Sequence, residues 1–557
     1  MNELCLSKED REWLASFKKQ HGRPPRVLHI GNIANNAYNN AKLLNMAGLD
    51  CDVICYDYYH IMACPEWEDA DFEGKIADQF RPDWTAVTLN GFERPAWFAQ
   101  GPLWLCADYL IARRSGRSKQ AARLWTALGI ENGTRSTRSL ANDIFNVLKS
   151  FLAKRWERAK YLLHTLLYHP NIKKKILDYL EKRIRKPGAL NKLALSIAFA
   201  LAAGSATLLR AAAWMLHLHV PEAFAQCSDR LMRAFADAFP ARPDKLTVDD
   251  LQPYAPSFNK MRTLFEHYDI IQAYSTDPII PLLAGKAYVA FEHGTLRDIP
   301  FASTPQGRMS AISYRLARHV FVTNFDCLDN AHALAGDRVT LINHPYDEDH
   351  GLQVSGWEPL RQALGAELDA EFLFFFPTRH DWVIGTGYAD KGNDVFLRAF
   401  AELRRLNHRV GMVCCNWGRN VPQSKRLLDE LGCASHVKWL DPMGMIKFER
   451  MARACHCVVD QFKLGAFGGV MFKAMAVGSP VCTFLDETRI RRQYPEMPPV
   501  VNCRSEREIV QNLPALIASP HRLFELGAAC RAWMKRYHTR DAVIGAQIEQ
   551  YRRFRCA

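Results

Sequence analysis

The sixteen cysteines of this 557-residue chain contain no C-x-x-C pair. Their closest spacings are Cys51/Cys55, Cys414/Cys415 and Cys455/Cys457. The first two fall in or beside expected strands, and the third straddles a helix end and the next strand. That usage fits buried thiols in a reducing compartment and speaks against a zinc or disulfide framework. A charged n-region followed by an apolar h-region is also missing ahead of the first expected strand, so the expectation is a cytoplasmic chain. Membrane-spanning runs are missing too: the charge-free stretch 193–209 has seventeen residues rich in Ala, Gly and Ser, whereas a span needs about 20 strongly apolar ones. A G-x-G-x-x-G fingerprint is absent, since positions 31–36 read GNIANN, which excludes a nicotinamide-type dinucleotide site on that loop. Disorder is excluded by the 48% hydrophobic and 24% charged content.

What is present is unevenly placed. The net charge is +13, and between Ala112 and Lys192 twenty Lys and Arg stand against five Asp and Glu. One segment therefore holds the whole basic excess. Residues 105–260 read as a helical insertion, with clusters such as Lys154-Arg155 and Lys173-Lys174-Lys175 alternating with Leu, Ile, Trp and Tyr. Basic amphipathic helices with Trp156, Tyr161 and Trp214 nearby suit an anionic membrane surface. A solvated basic face explains the same pattern. Nucleic acid ranks below both, because no recognised binding motif accompanies the charge.

Outside that insertion the chain alternates strands and helices. Arg26–Ile30, a helix over 37–47 and a strand over 51–56 form a β-α-β unit. The loop between them, with Gly31, Asn35 and Asn36, lies where parallel sheets bind ligands. Asp57 ends the second strand and reads as a solvated loop acid. The triplets Asp69-Ala70-Asp71 and Asp347-Glu348-Asp349 have a D-x-D form that holds metal-bound nucleotides in some transferases. Such short patterns recur by chance, and both are read as surface acids, with no metal site expected. Alternation resumes over 269–342 and again over 371–485. The reading is an α/β chain with two Rossmann-like domains facing a cleft: 1–345, 346–505, and a helical tail over 506–557 that packs back across them.

The most telling stretch is 456–486, HCVVDQFKLGAFGGVMFKAMAVGSPVCTFLD. A short strand ends at Val459, with Asp460 and Gln461 at its mouth. A turn carrying Gly465, Gly468 and Gly469 opens a helix that Gly478 and Pro480 close. A strand, glycine turn and helix start together present backbone N–H groups to an anion. The same pattern also serves as an ordinary β-α-β connection whose glycines permit close packing.

These residues resemble the donor domain of GT-B glycosyltransferases of the family 4 type. Arg379, then Lys391-Gly392-Asn393-Asp394 with Ala399-Phe400, matches the family's R…KG-x-D…AF element. Phe467-Gly468, Ala474-Met475-Ala476, Gly478 and Pro480-Val481 match its F-G…AMA-x-G-x-PV element. The resemblance implies a metal-independent, retaining transfer from a nucleoside-diphosphate sugar to a glycan or lipid-linked acceptor in envelope polysaccharide or glycoconjugate synthesis. It implies no cofactor beyond that donor. Arg379, Lys391 and the helix start at 467–469 would stabilise the leaving diphosphate. His293, in Glu292-His293-Gly294, is similar to the family's strand-end His-Gly near the sugar, and Arg297 would hold a phosphate. Asn35 and Asn36 would face the acceptor. Two departures stand out. Lys473 occupies the place of the ribose-binding glutamate, and Gly465 that of the carboxylate facing the transferred sugar. Either Lys473 adds charge near the diphosphate while Asp460 or Gln461 takes the sugar contacts, or the chain binds nucleotide sugars without catalysing.

Overall fold

The computed structural model describes residues 4–135, 222–383 and 390–555. The basic clusters at 154–186, the charge-free run 193–209, and most of the stretch read as membrane-facing lie outside the described residues.

The first sheet has seven parallel strands: β1 (Arg26–Ile30), β2 (Asp50–Tyr56), β3 (Phe98–Gly101), β4 (Ile270–Tyr274), β5 (Val289–Glu292), β6 (His319–Val322) and β7 (Val339–Leu341). Their order is β3-β2-β1-β4-β5-β6-β7. The chain starts at β1, winds one way to β3, then returns to the other side of β1 with β4. The crevice between β1 and β4 is therefore the switch point at which open parallel sheets hold ligands. The second sheet comprises β8 (Phe372–Phe376), β9 (Val410–Cys415), β10 (Val437–Leu440), β11 (Cys457–Val459), β12 (Val481–Thr483) and β13 (Val501–Asn502). Its order, β10-β9-β8-β11-β12-β13, puts its switch point between β8 and β11. Two Rossmann-like units in tandem are thus established by strand order.

Both sheets are buried on two faces, as parallel strands covered by helices are. In β1, Leu28 and Ile30 join a core with Leu105, Leu110, Phe224 and Phe235. Val27, one residue out of phase, joins Tyr38, Leu44, Ile544 and Tyr551 on the other face. The helices flanking the undescribed segment, Leu103–Arg114, Ser118–Glu131 and Glu222–Ala238, therefore form one layer of the first unit. The F-L-F-F-F run of β8 divides the same way, Leu373 and Phe375 towards one core and Phe372, Phe374 and Phe376 towards the other.

Residues 58–100, irregular by sequence, prove more ordered. Phe98–Gly101 is the edge strand β3, in register with Val53 to Tyr56. Its two apolar residues are too few to signal a strand. Ile61, Cys64, Trp67, Ala70, Phe72 and Trp84 make a small separate core. Nor are the D-x-D residues loose surface acids. Asp69 accepts from the Tyr38 hydroxyl at 2.6 Å and the Lys42 ammonium at 2.7 Å. Asp71 pairs with Arg450 of the second unit at 2.6 Å. Asp347 pairs with Arg540 at 2.6 Å, and Asp349 with Arg531.

The final helix, Arg540–Arg555, lies on the first sheet. Tyr551 donates to Gln272 Oε1 at 2.7 Å, and Gln272 Nε2 donates to Gln547 Oε1 at 3.0 Å. Gln547 in turn donates to Asn40 Oδ1 at 2.8 Å. These buried polar groups satisfy one another, so removing one strands its partner. Tyr551→Phe is expected to cost about 1–3 kcal/mol and Tyr551→Ala about 3–5 kcal/mol. Urea midpoints read both, and unchanged midpoints would show that the helix does not complete this core.

Candidate functional site

Residues from the carboxyl ends of both sheets meet in one gap. On the second sheet, Thr378 and Arg379 follow β8 and Asp460 follows β11, flanking the β8/β11 switch point. Thr378 donates to Asp460 Oδ1 at 2.9 Å, tying the two strand ends together. Asp460 Oδ2 is buried with no hydrogen-bond partner. A side chain at Gly468 would meet it, since a Cβ there would lie 2.3 Å from Oδ2. Burial raises the Asp460 pKa, while Lys391, Thr378 and the Met471 N–H favour its charged form. The start of helix Gly469–Ala476 therefore already faces a built-in carboxylate, where the sequence suggested free amides. Gly469, with open space around its Cβ position, remains presented outward.

Lys391 donates to Gln461 Oε1 at 3.0 Å. Its pKa is lowered by burial, and the positive charges of Arg379 and Arg297 push the same way. Three predicted cations from two units are thus electrostatically in touch. Arg379 is nearly half exposed, 3.6 Å from the buried Asp381. Asp381 also accepts from the Arg419 backbone N–H at 2.8 Å. Sequence reasoning missed Thr378, Asp381 and Arg419, which carry no motif and are brought in by loops after β8 and β9. Gln461 is occupied, since its amide also donates to the Ala466 carbonyl at 3.0 Å.

Other expected residues are placed differently. Lys473 Nζ lies 3.9 Å from Glu68 of the first unit. Glu68 also accepts from Asn39 at 3.1 Å and Asn35 at 3.4 Å. Lys473 therefore joins the two units through a carboxylate. Asn35 is fully buried, donates to the Cys64 carbonyl at 3.0 Å and accepts from Asn32, so its side chain is consumed in tying its loop to the segment after β2. Asn36 approaches the gap, with Oδ1 3.3 Å from His344 Nδ1. Gly465 has φ of +68°, and a Cβ there would press on Asp486 and Phe484 at 2.9 Å, so this position shapes a turn. Phe467 stacks on Trp533 at 5.6 Å and contacts Tyr494 and His538. Arg297 holds Asp326 at 2.5 Å.

His293 sits at the mouth of β5, 3.5 Å from the Thr323 hydroxyl, its ring edge-on to His344 at 5.0 Å. His344 stacks on Phe472 of the second unit at 5.6 Å, and Phe472 stacks on His538. Burial keeps all three histidines neutral: His293 is lowered to about 4, His538 to about 3, and His344 well below its ordinary value. Among the described residues no group of three or more His, Cys, Asp or Glu could hold a metal ion.

No protein-family model matches the chain, and no curated protein matches it. Solved structures overlap parts of it. Anabaena HepE in complex with UDP and glucose is 18% identical, the match covering 54% of this chain and 82% of that one, with a TM-score of 0.43. Sucrose-phosphate synthase from Thermosynechococcus elongatus is 15% identical over 59% of this chain and 92% of that one, with a TM-score of 0.39. S. aureus MnaA with UDP is 13% identical over 59% and 92%, with a TM-score of 0.36. The fold rests on the strand orders themselves. They define a tandem Rossmann-like α/β protein of GT-B type, with residues of both units lining one gap.

A histidine whose pKa is lowered on folding stabilises above its unfolded pKa of about 6.5, and that contribution is lost as pH falls through the folded value. Stability should therefore decline from about pH 6.5 towards pH 4, where His293 titrates. His344→Asn should flatten that decline in urea midpoints collected across the range. An unchanged slope would show that the seam does not titrate.

Proposed function

We propose that this chain transfers a glycosyl group from a nucleoside-diphosphate sugar to a hydroxyl of a glycan or lipid-linked acceptor. One observation carries the reading: Arg379 and Lys391 converge at the β8/β11 switch point beside the outward-facing Gly469. When the bond from anomeric carbon to phosphate breaks, negative charge grows on the leaving diphosphate. Fixed cations in a partly desolvated gap stabilise that charge without reorganising. Of the two, Arg379, loosely held by Asp381 and nearly half exposed, is the freer to reach an incoming phosphate. Lys391, anchored on Gln461, supplies the more deeply placed charge. Asp460 ties the β8 end to the helix start, and so fixes the spacing between Arg379 and Gly469.

A screen of UDP-, GDP-, CMP- and TDP-sugars by calorimetry identifies the donor. Arg379→Ala and Lys391→Ala should each lower turnover roughly 100- to 1,000-fold. A chain that binds without catalysing shows turnover in neither wild type nor variant, and that result would overturn the transfer reading.

The acceptor side of the proposal draws on the basic excess between Ala112 and Lys192, which suits attachment to an anionic membrane face carrying the acceptor. Among the described residues no helix is long and apolar enough to cross a membrane, so attachment through this segment would be peripheral. Flotation with anionic vesicles should be lost when Lys173, Lys174, Lys175 and Lys182 are all changed to Gln. Equal flotation of both proteins, or equal recovery on neutral vesicles, would remove the membrane from the proposal.

A further inference from the structure

The segment after β2 carries an aromatic cluster that the diphosphate chemistry above does not use. The Tyr58 and His60 rings lie nearly parallel, at 16° and 6.2 Å between centroids. Phe80 meets His60 edge-on at 5.3 Å. Tyr58 is 40% exposed and Phe80 76%. A single exposed aromatic is ordinary, but three in mutual contact make a surface suited to a ligand. Its backbone is held in place from several sides. Gln100 of β3 donates to the Tyr58 carbonyl at 2.9 Å. The Ile61 N–H donates to the Gln79 carbonyl at 2.7 Å, and Asp78 accepts from the Phe80 N–H at 2.8 Å.

This cluster borders the donor cations. The charge of Arg379, added to the effect of burial, lowers the His60 pKa, so the two side chains face each other across the gap. The same segment runs on into the lobe that touches the second unit, with Lys75 3.5 Å from Asp441 and Trp67 edge-on to Trp417 at 6.4 Å. Polar groups rim the aromatic faces. His60 Nδ1 accepts from the Met62 N–H at 3.2 Å, so the neutral ring carries its proton on Nε2 and has a donor to offer. Arg81 lies 4.4 Å over the Tyr59 ring and 3.7 Å from Glu131. Its charge also acts on Asp57, which is exposed at the end of β2 with φ of +48°.

The mixture narrows the occupant. An acyl chain would meet charges along the rim, and a phosphate would meet the carboxylates of Asp57 and Glu131 beside Arg81. A pyranose fits both parts. Its C–H face is apolar and slightly positive, which suits the negative face of an aromatic ring, and its rim of hydroxyls both donates and accepts. We infer that Tyr58, His60 and Phe80 form a platform on which a sugar ring of the acceptor glycan stacks, with His60 Nε2 and Asp57 taking its hydroxyls. Calling that sugar an acceptor rests on the glycosyl-transfer reading, which the platform narrows from a glycan or lipid-linked acceptor to one recognised by a sugar ring. The platform holds the acceptor beside Arg379 and takes no part in moving its proton.

Saturation-transfer NMR on the full chain tests the platform without any donor. The probes are the methyl pyranosides of glucose, galactose, mannose and N-acetylglucosamine, with UDP and hexanol as the competing chemistries. At least one pyranoside should receive saturation on its ring C–H protons, and Phe80→Ala and Tyr58→Ala should each weaken its binding roughly 3- to 30-fold. Both side chains are exposed, so neither change opens a core, and equal urea midpoints verify that. His60→Phe keeps a ring and removes the N–H, so the C–H signals should persist while affinity falls. With a nucleotide sugar that binds in the screen, Phe80→Ala should raise KM for the pyranoside by the same factor and leave kcat within about threefold, as loss of uniform binding does. Saturation of no pyranoside, equal pyranoside binding by Phe80→Ala and wild type, or an effect of Phe80→Ala on UDP base protons or hexanol instead of the sugar would each overturn the inference. A wild type that binds a pyranoside through Phe80 yet binds no nucleotide sugar would support the platform and overturn the transfer reading beneath it.

Discussion

The relative placement of the two sheets depends on Arg540. Its guanidinium pairs with Asp347 at 2.6 Å, and its backbone N–H donates to Glu348 at 2.9 Å. The chain passes between the units twice, near residue 345 on the way out and near residue 539 on the way back, and Arg540 joins the two passages. Arg531 reinforces the joint by donating to the Glu348 carbonyl and pairing with Asp349. Arg540 is almost fully buried and so is much of Asp347. Removing one partner of such a pair strands a charge, which costs far more than the pair contributes. The pairing therefore fixes how the units sit together more than it stabilises either one.

Everything in the gap follows from that placement. Lys473 reaches Glu68, Arg450 reaches Asp71 and His344 reaches both Asn36 and Phe472 because the units are held close. Trp67 meets Trp417 edge-on at 6.4 Å, and Lys75 lies 3.5 Å from Asp441. The small lobe around Trp67 and Phe72 thus rests against the loops after β9 and β10. The polar contacts across the gap are local and mixed with water-accessible groups, so the arrangement suits a site that admits a charged ligand between walls set at fixed spacing.

Much of the architecture was legible from the residues. Eleven of the thirteen strands announce themselves through short apolar runs. β3 did not, because Phe98-Ala99-Gln100-Gly101 offers two apolar residues at a sheet edge, and β13 has just Val501 and Asn502. Arg379 and Lys391, taken from the family resemblance, do approach one another. What spacing could not show was which charges already have partners. Lys473 looked like a phosphate ligand and holds Glu68, and Asn35 looked like an acceptor contact and is consumed by Asn32, Cys64 and Glu68. Thr378, Asp381 and Arg419 carry no motif at all, since loops after two different strands bring them to the gap.

The returning C-terminal helix has a bearing on how this protein is made. Ile544, Ile548 and Tyr551 complete the outer layer of the first sheet, whose strands all precede the second unit in the chain. Until those residues are synthesised, Val27, Val53 and Val289 lack their apolar cover, and Gln272 lacks its partners in Gln547 and Tyr551. The amino-terminal unit must therefore wait in an unfinished state through the synthesis of the entire second unit, which can complete its own two cores meanwhile. Order of synthesis and order of completion run in opposite directions, and a chain lacking the helix Arg540–Arg555 leaves one face of its first sheet without that cover.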